Sequence, residues 1–180
     1  MTTIRSENPA DVAAREALLD VAYGPVRFAK PSARLRERRE PALALVAAEK
    51  GRVVGTVRLW PVLAGADRPA LLLGPLAVHP DCRRRGIGAA LMRRAIRAAK
   101  QAGHAAVLLV GDAPYYGRFG FSAEKTAALA MPGANRPDRL LGLELSAGAL
   151  DDAHGVIRTD ARSRRPAARA AQSVAVAQAA

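Results

Sequence analysis

Three arginines and two glycines, Arg83-Arg84-Arg85-Gly86-Ile87-Gly88, stand directly ahead of a long amphipathic segment. A turn that opens a helix leaves backbone N–H groups without intrahelical acceptors, and the helix dipole favours negative charge at that end. Glycines at 86 and 88 let a diphosphate approach the backbone without meeting a Cβ. The chemistry this composition suits is the holding of a polyphosphate. A dinucleotide loop would require a third glycine where Leu91 stands, and no G-K-[ST] phosphate loop is present. Spacing alone fits two readings equally: a diphosphate cradle, or a glycine-containing turn with solvated arginines.

Few other residues offer chemistry. No Ser/His/Asp or Cys/His pairing suggests a covalent intermediate, and no cluster suggests a metal, so none is expected. Cys82 lies in the arginine turn without a histidine partner and reads as structural. His79, before Pro80, reads as a loop residue, and Asp112 as the N-cap of a short helix beginning near Pro114. Glu49, at a strand end, is a candidate base acting through water; an exposed hairpin-end residue is the plainer reading. Phe119 and Phe121 read as core, and Tyr115 as packing or substrate-side lining.

These residues need a scaffold. Thr3 to Arg5 is a short strand, and Asn8-Pro9 with Asp11 is a helix start leading into an apolar stripe ending near Tyr23. An arginine-rich helical piece spans 32–39. Strands follow at 43–49 and 53–62, joined by Lys50-Gly51, a tight-hairpin signal. A fourth strand covers 71–78, and residues 86–102 form the longest helix, with Ile87, Ala90, Leu91, Ala95, Ala98 and Ala102 on one face. Arg93, Arg94, Arg97 and Lys100 form its solvated face. Residues 105–110 make a central fifth strand, followed by a short helix at 113–118 and strands near 127–131 and 140–145. The order β-α-α-β-β-β-α-β-α-β-β describes an α/β (α+β) domain with a mixed, mostly antiparallel sheet.

Half of the 180 residues are apolar, enough for one sizeable core. No apolar run reaches the roughly 18 residues that span a bilayer, so no membrane association is expected. A lone cysteine and an N-terminus without secretory features lead to a cytoplasmic expectation. The net charge is +12 and the pI about 11.2. Residues 158–180, rich in arginine and alanine, contribute +4 and leave +8 for the rest. They read as a disordered tail after a domain at 1–157.

The Arg83-x-x-Gly86-x-Gly88 pattern after Leu76-Ala77-Val78-His79-Pro80 resembles the acetyl-CoA signature of the GNAT superfamily of N-acetyltransferases. Tyr115-Tyr116-Gly117-Arg118-Phe119-Gly120-Phe121 resembles the same superfamily's tyrosine-to-Gly-Phe segment, in the same order and across one intervening strand. Leu109 to Tyr116 is similar to the YhbS-like branch, and the resemblance covers roughly 2–157. It implies helices on both faces of the sheet and a fourth strand splayed from the fifth (the β4/β5 pair), with the pantetheine arm of the donor acetyl-CoA in the gap. It further implies cofactor contacts from Leu76, Ala77 and Val78 along the strand, from Arg83 at the first motif position, and from Arg84, Arg85, Gly86, Ile87, Gly88 and Ala89 around the diphosphate. Tyr116 would be the general acid for the departing thiolate, and the Val78 N–H the donor to the developing oxyanion.

The resulting expectation is an N-acetyltransferase acting on an unidentified amine of a small molecule, peptide or protein. The acceptor side would be formed by loops at 20–40 and 110–140, with Gly24-Pro25, Arg27, Phe28 and Lys30 as lining. A homodimer is a further expectation from similar proteins. Two alternatives stand beside it: a nucleic-acid-binding protein using the basic tail, disfavoured by the few aromatics, and a non-catalytic CoA-binding member of the fold.

Overall fold

The computed structural model describes residues 1–133 and 137–161. Its main sheet runs β1 (Thr3–Ser6), β2 (Leu43–Glu49), β3 (Arg52–Ala64), β4 (Arg68–Val78), β5 (Ala106–Val110), β7 (Leu140–Glu144) in spatial order. Every pair on this path is antiparallel except β4 with β5. That parallel pair needs a crossover, which is α3 (Ile87–Gln101). The remaining elements are α1 (Val12–Tyr23), α2 (Pro31–Arg34), α4 (Ala113–Gly117), and a small parallel pair of β6 (Leu129–Ala130) with β8 (Gly155–Val156).

Local chemistry sets the boundaries. Asn8 and Asp11 exchange side-chain-to-backbone bonds of 3.2 and 2.9 Å, the reciprocal cap that starts the first helix. Lys50 and Gly51 both take positive φ, 47° and 79°, as the two-residue hairpin between β2 and β3 requires. The arginine-rich piece expected over 32–39 is one helical turn, α2, followed by tighter turns; the strand expected near 127–131 shrinks to two residues.

Helices cover both faces. On one side Ile87, Leu91, Met92, Ala95 and Ala99 of α3 pack on Leu45, Val57, Leu59, Leu71, Leu73, Val107 and Leu109. The buried stripe is thus rotated slightly from the expected one, with Met92 and Ala99 inside and Ala90 and Ala98 half-buried. Arg93, Arg94, Arg97 and Lys100 are exposed. On the opposite side Leu18 and Leu19 of α1 meet Val46, Val53 and Ala77.

Two irregularities position the site. First, β4 carries one residue more than β3 between the pairs Leu59–Leu73 and Val57–Leu76, a bulge at Gly74-Pro75. It inverts the side-chain alternation, so Leu71 and Leu73 before it and Leu76 and Val78 after it all face the α3 side. Secondly, β4 and β5 pair only at Leu71–Val107 and Leu72–Leu108, so the six residues of β4 beyond Leu72 have no β5 partner. The two strands part there.

After Ile157 the chain does not leave the domain at once. Arg158–Thr159 forms β9 along β3, opposite Leu63 and Val62, past the end of β2. This strand begins directly after Ile157, the residue at which the domain is expected to end. The remaining tail, 162–180, lies outside the described residues.

Candidate functional site

The parting of β4 from β5 frees backbone groups in a predictable way. His79 donates its N–H to Val54 O at 2.8 Å, so it faces β3. By antiparallel alternation Ala77 also faces β3, while the N–H and C=O of Leu76 and Val78 face the gap. One of these is occupied: the Tyr23 hydroxyl at the end of α1 donates to Leu76 O. At the bulge, Trp60 Nε1 donates to Gly74 O at 2.6 Å. Neither side-chain bond is legible from local pattern, since each joins distant segments.

At the far end of β4 the turn Pro80–Cys82 leads through Arg84, at φ 61°, to Gly86, at φ 75° and ψ 0°. Left-handed geometry at both positions turns the chain into α3, and a side chain at 86 would be strained there. The first bond of α3 runs from Ala90 N–H to Gly86 O at 2.9 Å. Among the described residues no protein acceptor receives the N–H groups of Arg84, Arg85, Gly86, Ile87, Gly88 or Ala89. This run exceeds the four amides that any helix start leaves free.

The three guanidiniums differ in role. Arg83 and Arg84 are exposed. The Arg85 side chain is held by Glu49, at 3.1 and 2.6 Å, while its backbone N–H has no protein acceptor among the described residues. Glu49, also bonded by Thr2, has its pKa lowered by these hydrogen bonds, Thr2 first and Arg85 second. It does not line the cavity described below, so the structure does not bring it to the expected position of a base. Cys82 is buried in the α3-side core, in keeping with a structural role.

Tyr116 sits on α4, just past β5. Asp112 occupies the N-cap position, but its side chain makes no capping bond; its carbonyl accepts the N–H groups of Tyr115 and Tyr116, both at 3.0 Å. The Tyr116 ring lies directly on Gly111, where any Cβ would collide with it. Tyr115 stands edge-on at 4.9 Å and Phe121 at 6.2 Å. Burial pushes the Tyr116 phenol up to about 12, with the phenols of Tyr23 and Tyr115 adding to it. Tyr115 reaches the other motif, since its hydroxyl is 3.3 Å from where a Cβ on Gly88 would be.

A cavity of about 810 Å³ lies along the parted strands, lined on β4 by Leu72 to Leu76; Ala77, Val78 and residues 83–89 do not line it. Its walls include Trp60 and Leu72 from one core layer and Leu73 and Leu109 from the other, so it extends between the layers where the strands part. Tyr23 and Tyr116 both line it. The expected acceptor-side residues Arg27, Phe28 and Lys30 are present in its wall; Gly24 and Pro25 are not. Tyr23, Arg36 and Arg139, which also line it, fall in the loops expected on the acceptor side but are not singled out by the sequence, and Trp60 lies outside them. Only the position of Tyr23 beside the helix-ending Gly24 offered any local cue.

Among the described residues no cluster of His, Cys, Asp or Glu could hold a metal, and no helix is long and apolar enough to cross a membrane. Residues 13–121, more than half of the chain, match the Acetyltransferase (GNAT) family. The chain is 36% identical over 120 residues to the uncharacterized N-acetyltransferase YhbS of Escherichia coli, covering 66% of this chain and 72% of that one. The crystal structure of YhbS from Escherichia coli in complex with CoA superposes with a TM-score of 0.75 at 30% identity, over 91% of this chain and 92% of that one. A GNAT acetyltransferase from Brucella melitensis in complex with acetyl-CoA gives 0.69 at 30% identity, over 89% and 97%. With the parted strands, the unpaired amides and these relatives in agreement, the chain belongs to the GNAT family of N-acetyltransferases.

Proposed function

We propose that the protein moves an acetyl group from acetyl-CoA directly to an amine, with the donor laid along β4. The diphosphate rests on the amides of Arg84 to Ala89, with Arg83 beside it, and the pantetheine arm runs past Leu76, Ala77 and Val78. The thioester then lies in the cavity before Tyr116. The observation that carries this reading is the run of six unpartnered amides at the end of the same strand whose edge opens onto that tyrosine.

The amine nitrogen attacks the thioester carbonyl carbon, forming C–N as C–S breaks. The Val78 N–H, facing the gap, stabilises the oxyanion. The sulfur departs beside the Tyr116 hydroxyl, and the surplus amine proton leaves to solvent. With its pKa near 12, Tyr116 stays protonated across the neutral range. Full proton transfer to a thiolate of pKa ~8.5 is then uphill, so its contribution is a hydrogen bond to the departing sulfur.

Calorimetric titration with acetyl-CoA at low salt tests the reading. Wild type should bind, and Gly88→Asp should bind at least about tenfold more weakly, since it puts a carboxylate where the diphosphate belongs. Absence of binding by wild type at millimolar acetyl-CoA would refute it.

A further inference from the structure

The cavity wall is strongly cationic, and most of that charge is internally balanced. Arg58 and Arg15 share Glu7, with Arg15 Nε 3.4 Å from it. Arg15 also pairs with Glu16, and Arg27 takes Glu16 at 2.5 Å and Asp20 at 2.9 Å. Three guanidiniums thus meet three carboxylates. Arg34 and Glu37, both exposed at the rim, offset each other in sign.

Three cations lie outside this balance: Arg139, exposed and donating to Gly111 O at 3.4 Å, and a pair nearer the bulge, Arg36 and Lys30. Arg36 donates to Ser32 O at 3.0 Å and to Ser32 Oγ at 3.4 Å, and no carboxylate among the described residues pairs with it. Its Nη1 stands 3.9 Å from the position of a Cβ on Gly74, which puts the guanidinium at the bulge where β4 leaves β5. Burial lowers its pKa to about 10, the mark of a charge taken from water without a compensating anion. Lys30 lies over the Tyr23 ring at 4.5 Å. Its pKa is lowered by desolvation and then by the charges of Arg36 and Arg139. None of residues 83–89 lines this cavity, so these cations are not part of the diphosphate cradle.

We infer that the acceptor is a small amine carrying an anionic oxygen group, a carboxylate or a phosphate, which Arg36 and Lys30 hold at the Gly74 bulge while the amine points toward Tyr116. This deepens the acetyltransferase reading and rests on it. Arginine in a water-poor wall is suited to such a group, because its planar fork gives paired charge-assisted bonds to either oxyanion. Arg36 is half-buried in the wall while Lys30 is exposed at the cavity's mouth, so an anionic end that reaches Arg36 must enter the cavity, which suits a small molecule.

Trp60 is the chain's one tryptophan and lines the same cavity, so its fluorescence reports occupancy. The CoA-loaded protein is titrated with three matched series having spacers of two to six carbons: ω-amino carboxylates, ω-aminoalkyl phosphates and ω-amino amides. At the best spacer, one anionic series should bind at least about tenfold more tightly than the amides. Whichever series does so identifies the oxyanion. In Arg36→Gln that ratio should fall toward unity, in Lys30→Gln it should fall partway, and Arg36→Lys should retain part of it. Calorimetry with acetyl-CoA on each variant reports that the fold is intact. Equal binding of anionic and neutral amines, no binding of any anionic amine by protein that binds acetyl-CoA, or a ratio that survives Arg36→Gln would each overturn the inference and leave the acetyltransferase reading standing. Failure of wild type to bind acetyl-CoA would remove both.

Discussion

Tyr116 shows how a side chain acquires a property its type does not have. Its phenol is raised to about 12 because the ring is pressed on Gly111 and enclosed by aromatic neighbours. In the role proposed for it the active form is the protonated one, so a raised pKa would extend activity upward in pH. The kcat–pH profile should rise as the amine loses its proton and show no descending limb through about pH 10, where an ordinary tyrosine would already be half ionised. Tyr116→Phe should lower kcat by about 10- to 100-fold, the loss of one hydrogen bond to a charged leaving group, with little change in acetyl-CoA affinity. Stopped-time assays of CoA release with a substrate amine measure both. A wild-type limb falling near pH 8, or an unchanged kcat in the Phe variant, would remove this residue from the role.

At the scale of elements, the start of the first helix is stabilised by one carboxylate with two duties. Asp11 accepts the Asn8 N–H and is also held by Arg5 at 2.5 and 2.8 Å. The Arg5 hydrogen bonds first, and the Asn8 N–H second, lower its pKa to about 2. A depressed carboxylate stabilises the fold above its unfolded pKa of ~3.9, and that stability is lost as pH falls through the folded value. Asp11→Asn should therefore cost about 1 kcal/mol at pH 7, a typical capping loss. The difference from wild type should shrink between pH ~4 and 2. Urea unfolding of both proteins at pH 7, 4 and 2.5 measures this, and a gap that stays constant would contradict it.

Across the whole molecule, the end of the described chain ties the sheet to the loop before β2. Arg39 donates to Asp160 O at 2.9 Å and to Thr159 Oγ1 at 3.2 Å, while Arg158 Nε donates to Gly65 O at 3.2 Å. Ile157 is fully buried in the second core layer. A chain cut after Ile157 should melt a few degrees below one cut after Ala161, given about 2–4 °C for each kcal/mol in a domain of this size. Equal melting temperatures by calorimetry would show β9 to be dispensable. The arginines beyond 161, which motivated a nucleic-acid reading, lie outside the described residues.

Much of this architecture was legible because it depends on local rules. The hairpin at Lys50-Gly51, the Asn8-Pro9 helix start, the amphipathic α3 and the glycine-arginine turn before it are all settled by backbone preference, capping and periodicity within a few residues. The resemblance of both the turn and the tyrosine segment to one family's motifs then indicated the family. What only the tertiary structure decided are encounters between distant segments: Tyr23 reaching Leu76, Tyr115 reaching Gly88, Arg85 diverted to Glu49, and Arg36 left without a carboxylate beside the Gly74 bulge. Such pairings follow from how two core layers close around a parted strand pair. Periodicity identifies the buried face of each element, but it does not specify which charges meet when those faces come together.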